Sequence, residues 1–211
     1  MRRIGIMGGT FNPVHMAHLL LAEHALEQFA LDKIMFLPSR QPAYKAKADL
    51  LPDNIRLELL KLAIAEHPDF YVSDLELKRD GNTYTADTML ELKQLQPDTE
   101  FYFIVGGDSL FKFEHWHRPD IILENAHLLA TTRGTDNRTA QAELIRQKAE
   151  ELNQKFGADI QVFHTPLMEI SSTDIRNRLK EGRSIRYLVP EAVRKYLTEH
   201  LCFEKKPQEI R

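Results

Sequence analysis

The chain has 211 residues, 43% of them hydrophobic and 28% charged, enough to bury the core of a full domain and too apolar for disorder. Lys and Arg total 28 against 31 Asp and Glu, a formal charge of −3, so the electrostatic footprint of a nucleic-acid binder is missing and only a local basic site for phosphates stays open. A single cysteine, Cys202, excludes an intrachain disulfide and a cysteine zinc cluster, and fits a cytoplasmic protein.

In chain order, short β-rich apolar runs alternate with stretches of helical period. Strands are predicted over 3–7, 33–37, 70–75, 100–105, 127–131 and 159–164. Helices are predicted over 15–29, 52–67, 85–95, 140–156, 173–181 and 190–200. The first apolar run follows Met1-Arg2-Arg3 but is broken by Gly8, Gly9, Asn12 and Pro13, so it is not expected to be a secretory signal. No uncharged apolar stretch reaches the roughly 18 residues of a membrane span, and no membrane partner is expected. The alternation predicts an α/β fold: a Rossmann-like, doubly wound parallel sheet with helices on both faces and a small C-terminal helical extension over about 171–203. With no repeat or linker, residues 1–211 read as a single domain whose tail, 204–211, frays. The longest stretch without structure of its own is 38–51.

Chemistry concentrates at two helix starts. A strand runs into Gly8-Gly9-Thr10, and the helix beginning near His15 directs its first N–H groups and positive dipole end at that turn, an arrangement that favours an anion. Two glycines let a phosphate approach the backbone. His15 and His18, three apart, fall on one face and can both donate to phosphoryl oxygens, whereas His24 lies on another face. Neither the P-loop nor the dinucleotide fingerprint is present. The alternatives at this point are a tight turn with ordinary helix histidines, or a zinc pair that lacks a third ligand. At the second start, Ser171-Ser172-Thr173-Asp174 reads as a helix cap, with Arg176 placed to face a phosphate chain. An arginine on the surface of a capped helix is the other reading.

The segment GGTFNPVHMAH, residues 8–18, resembles the T/HxGH signature of the nucleotidyltransferase superfamily, which includes the pyridine-nucleotide, phosphopantetheine and glycerol-phosphate transferases. Ala17 stands where that pattern has Gly. Residues 170–176 resemble the superfamily's ISSTxIR segment without a departure. The resemblance implies an ATP site built from Gly8, Gly9, Thr10, Phe11, His15 and His18, closed by Ile170, Ser171, Ser172, Thr173 and Arg176. It extends this site to Gly106, Asp108 and Arg133. His15, His18 and Arg176 would form the catalytic clamp. Magnesium would be held through the nucleotide phosphates, with no protein side chain as its ligand.

Three further segments resemble the nicotinate-nucleotide adenylyltransferase branch of that superfamily. Residues 79–88 form a glycine turn into a helix whose amino end could accept a carboxylate. Residues 105–110 lead to Trp116, whose flat face suits a pyridinium-like ring, while Glu114, His115, His117 and Arg118 around it argue against deep burial. Residues 38–45 keep Lys45 of the branch's pattern, with Ala43 and Tyr44 as departures. The resemblance implies a mononucleotide site of Thr10, Lys45, Tyr84, Thr85, Asp108 and Trp116. It implies transfer of the adenylyl group of ATP to nicotinate mononucleotide in NAD biosynthesis, with small-molecule partners only and no nucleic acid. Phosphopantetheine adenylyltransferase shares both phosphate motifs and is the enzyme alternative, and a nucleotide-sensing module is the non-enzyme one. The residue pattern leaves the oligomeric state open.

Overall fold

The structure is a computed structural model that describes residues 1–40, 50–133 and 140–200. Six strands, β1 (Arg2–Gly9), β2 (Lys33–Pro38), β3 (Phe70–Val72), β4 (Thr99–Gly106), β5 (His127–Arg133) and β6 (Ile160–Thr165), form one sheet in the order β3-β2-β1-β4-β5-β6. All neighbours pair in parallel. A parallel sheet covered on both faces needs strands that are apolar throughout. Side chains alternate between two cores accordingly. Met7, Ile34, Phe36, Ile104, Leu129 and Phe163 face one, and Ile4, Ile6, Met35, Phe101, Phe103 and Leu128 the other.

Helices α1 (Met16–Gln28), α2 (Asp53–Ile64), α7 (Ser172–Lys180) and α8 (Glu191–His200) cover the first core through residues such as Ala22, Leu59, Ile175 and Val193. The other core is covered by α3 (Thr85–Leu95), α4 (Gly107–Phe111), α5 (Pro119–Asn125) and α6 (Ala140–Phe156). In α6, Ala142, Ile145, Ala149 and Leu152 recur at the helical period and are buried. The expected doubly wound sheet is present. α7 and α8 form the C-terminal helical part, α8 packing against α2.

Element bounds shift by a few residues in several places, and three differences bear on the site. β1 continues to Gly9, because Gly8 and Gly9 pair with Leu37 and Pro38. β3 ends at Val72 rather than 75: it is an edge strand, and beyond Ser73 the chain turns back so that Leu77 N–H donates to the Asp74 carbonyl at 3.0 Å. Residues 107–125 carry two short α-helices and a 3-10 turn, Phe113–His115, where no helix was expected. The close approach of α4 to α6 there requires a glycine, since a Cβ on Gly107 would lie 2.5 Å from Ile145 Cδ1.

Sheet order places the site. Strand order reverses between β1 and β4, whose crossovers run to opposite faces, and the crevice beyond their carboxyl ends is where open α/β sheets hold ligands.

Candidate functional site

The first motif leaves the sheet at that crevice. Gly8 and Gly9 are extended, and the turn falls on Phe11, whose φ of 47° is left-handed. Packing supplies another reason for the glycines. A Cβ on Gly8 would lie 3.2 Å from the Phe103 ring, and one on Gly9 3.2 Å from the Phe11 ring. That ring is buried, tilted against Phe36 at 5.9 Å and edge-on to His18 at 5.0 Å. Phe11 is thus a wedge beneath the turn and lines neither cavity described below.

His15 is the N-cap of α1 and only 6% exposed. Its ring stacks on His18 with centroids 3.7 Å apart and planes at 22°. The His15 N–H donates to His18 Nδ1 at 3.2 Å. An Nδ1 that accepts leaves the proton of a neutral imidazole on Nε2. The Met16 N–H, an early donor of α1, goes to the Leu188 carbonyl at 2.9 Å.

The second motif docks on the first. Ser171 caps α7, its Oγ accepting from Asp174 N–H at 3.1 Å. Ser172 Oγ donates to the Pro13 carbonyl at 2.9 Å, and Arg176 Nη1 donates to the Asn12 carbonyl at 2.9 Å. These bonds join residues 159 and 164 positions apart, and bring the amino ends of α1 and α7 together. Between them lies a cavity of about 290 Å³, lined by His15, Ala17 and His18 from one motif and Ile170, Ser171, Ser172 and Thr173 from the other. Arg176 stands in the second turn of α7 and does not line this cavity; its Nη2 also reaches Thr173 Oγ1 at 3.4 Å. Its Nε is buried without a hydrogen-bond partner among the described residues.

A larger cavity of about 480 Å³ opens over the ends of β1 and β4, lined by Gly8, Gly9, Thr10, Gly106, Thr85 and Trp116 among others. Met7, His18 and Leu21 border both cavities, so they adjoin at the His18 ring. Trp116 is half-buried, 5.5 Å from the Phe113 ring and edge-on to Phe103 at 6.2 Å. Tyr84, the N-cap of α3, lines this cavity and touches the His117 ring at 4.4 Å. The turn before it uses Gly81 at φ 84°.

The segment carrying Trp116 is tied to α6. Glu114 accepts from Lys148 Nζ at 2.5 Å and Lys155 Nζ at 2.6 Å. These two ammonium hydrogen bonds hold the Glu114 carboxyl down at about 2.

Several lining residues were not foreseen: Glu76, Thr83, His115 and His117. Glu76 is 7% exposed and accepts from Thr88 Oγ1 at 2.8 Å. Burial pushes its carboxyl above the ordinary carboxylate value, with the Thr88 hydrogen bond, the Arg79 charge and a Thr83 hydrogen bond opposing. Arg79 also donates to Thr88 Oγ1 at 2.9 Å and pairs with Glu91, so the network pins the first turn of α3. A glutamate between two leucines, Leu75 and Leu77, was the available signal.

Other expected residues do not converge. Asp108 is exposed in the first turn of α4 and lines neither cavity, whereas Ser109 lines the larger one. Arg133 ends β5, its side chain not described, and Lys45 lies outside the described residues. Among the described residues no three His, Cys, Asp or Glu side chains gather as metal ligands, and no helix is long and apolar enough to cross a membrane.

Comparison with known proteins gives the same picture. A family model for cytidylyltransferase-like proteins matches residues 6–178. A probable nicotinate-nucleotide adenylyltransferase of Lachnoclostridium phytofermentans is 54% identical over 200 residues, covering 95% of this chain and 98% of the relative. One from Desulfitobacterium hafniense is 42% identical, covering 93% of each. Among solved structures, nicotinic acid mononucleotide adenylyltransferase of Plasmodium falciparum, complexed with APC or with NaAD, superposes with a TM-score of 0.73. It does so at 19% identity, over 98% of this chain and 99% of that one, a likeness of fold.

Proposed function

From a chain that belongs to the cytidylyltransferase-like family, and within it to the nicotinate-nucleotide adenylyltransferases, we propose catalysis of adenylyl transfer from ATP to nicotinate mononucleotide in NAD biosynthesis. The products are nicotinate adenine dinucleotide and pyrophosphate. The observation that carries this reading is two adjoining cavities with one imidazole, His18, on the border of both. The smaller cavity, with two helix amino ends and two imidazoles, suits a triphosphate. The larger one, with Trp116, Tyr84 and the start of α3, suits a pyridine ring that bears a carboxylate.

In the reaction, an oxygen of the mononucleotide 5′-phosphate attacks the α-phosphorus of ATP. A new P–O bond forms, the bond to the β-phosphate bridge breaks, and pyrophosphate leaves with that electron pair. A phosphate monoester is largely dianionic near neutral pH, so the nucleophile needs no general base. What it needs is alignment against another polyanion, and donors where charge accumulates. His18 supplies an Nε2 donor at the junction, and the amino ends of α1 and α7 supply a positive field. Arg176 supports the clamp by holding the Asn12 carbonyl, with its guanidinium charge behind the loop. Magnesium, which would neutralise phosphate charge, belongs to this reading as a companion of the ATP phosphates. The enzyme is placed in the cytoplasm, in keeping with its single cysteine.

The test is pyrophosphate release from ATP with nicotinate mononucleotide and, separately, with nicotinamide mononucleotide and 4′-phosphopantetheine. The expected result is turnover with the acid well above that with either alternative. Turnover fastest with phosphopantetheine would replace the proposed acceptor, and none with any would leave a binding module.

A further inference from the structure

We propose that Arg56 is a positioning residue for the acceptor side of the site, an inference that rests on the adenylyl transfer proposed above. Arg56 lies on the core-facing stripe of α2 with Leu59, Leu60 and Ile64, and is 0% exposed. An apolar side chain at such a position would avoid the cost of burying a cation, so its bonds must explain it. Nη1 donates to the Thr10 carbonyl at 2.7 Å and Nε to the Leu51 carbonyl at 3.2 Å. Nη2 donates to Asp53 Oδ1 at 2.6 Å and reaches the Arg40 carbonyl at 3.4 Å. One planar fork thus gathers three backbone segments that are not consecutive in the chain, with one carboxylate among the described residues, Asp53, to balance its charge.

The bond that matters for chemistry is the one to Thr10. Thr10 lines the larger cavity beside Gly8 and Gly9, and not the smaller one. Its carbonyl immediately precedes Phe11, whose left-handed backbone is strained for a non-glycine residue and must be held by its surroundings. Arg56 holds that carbonyl from beneath. Asn12 Oδ1, on the far side of the strained residue, accepts from the Leu51 N–H at 2.9 Å, so Leu51 ties the same turn a second time. Arg56 itself lines neither cavity and acts only through the backbone it fixes. A lysine would keep the charge beside Asp53, but a point ammonium does not present the diverging N–H vectors of the fork.

The experiment compares wild type with Arg56→Lys and Arg56→Met, each first shown to melt cooperatively above the assay temperature. Steady-state KM is measured for both substrates, and nicotinate mononucleotide binding is followed by quenching of Trp116, the chain's one tryptophan. In both variants the acceptor KM and Kd should rise roughly tenfold and kcat fall by about tenfold or more, while the ATP KM stays within about threefold. Acceptor Kd and both KM values within about twofold of wild type, with kcat reduced only by the unfolded fraction, would overturn the inference and leave Arg56 as a core strut. If wild type binds the mononucleotide yet releases no pyrophosphate, the transfer reaction is wrong and Arg56 is judged on the acceptor Kd alone. A wild type that neither binds nor turns over overturns both.

Discussion

At His18, three observations meet in one ring: Nδ1 accepts from the His15 backbone, the face stacks on His15, and the residue borders both cavities. The first two fix its orientation and tautomer before a substrate arrives, which is what gives a transition-state donor its value. His18→Ala should therefore lower kcat by about a hundredfold or more, with melting changed far less because the residue is only half-buried. Steady-state kinetics beside a circular-dichroism melt checks this, and near-normal turnover would remove His18 from the clamp. The histidine pair was legible in the sequence from its spacing of three, although His15 is the extended N-cap of α1 and the two meet through a capping box rather than on one helix face. Arg176 was legible only as a charge near a helix start. Its engagement with the Asn12 carbonyl depends on a contact 164 positions away, which no local pattern encodes. That Phe11 lines neither cavity was hidden for a related reason: a left-handed phenylalanine tucked under Gly9 has no sequence signature.

At the level of elements, the larger cavity depends on how the segment from β4 to α5 is anchored. Glu114 fastens it to α6 through Lys148 and Lys155. Because the Glu114 carboxyl is lowered from 4.5 to about 2, the stabilisation from this pair of bridges is fully present above pH 4.5 and is lost as pH falls towards about 2. Glu114→Gln should melt below wild type at neutral pH, and the gap should narrow as pH drops through that window. The same variant should raise the acceptor KM by about threefold or more as Trp116 loses its fixed position. A melting gap independent of pH, with an unchanged KM, would mean that these bridges fasten nothing. Element boundaries were readable where punctuation was strong. α3 and α6 begin and end at the expected residues, 85–95 and 140–156. α4 and α5 span 5 and 7 residues, too short for apolar periodicity to register, though Pro119 in the first turn of α5 was a usable start signal.

Across the whole molecule, the alternation of strand and helix sufficed for the α/β class, whereas strand order follows from long-range pairing that alternation leaves open. The order β3-β2-β1-β4-β5-β6 puts the ends of β1 and β4 side by side, and so assembles Gly8, Gly9 and Gly106 into one crevice from distant parts of the chain. The C-terminal α7 then returns to that crevice and seats its amino end on the Asn12–Pro13 turn. The central claim is that α1 and α7 together hold one triphosphate. A crystal structure of the protein with a non-hydrolysable ATP analogue tests it most directly. Phosphate oxygens are expected within hydrogen-bond distance, about 2.7–3.2 Å, of both His18 Nε2 and the N–H groups that open α7. A triphosphate lodged against only one of these two helix starts, or elsewhere on the sheet, would contradict it.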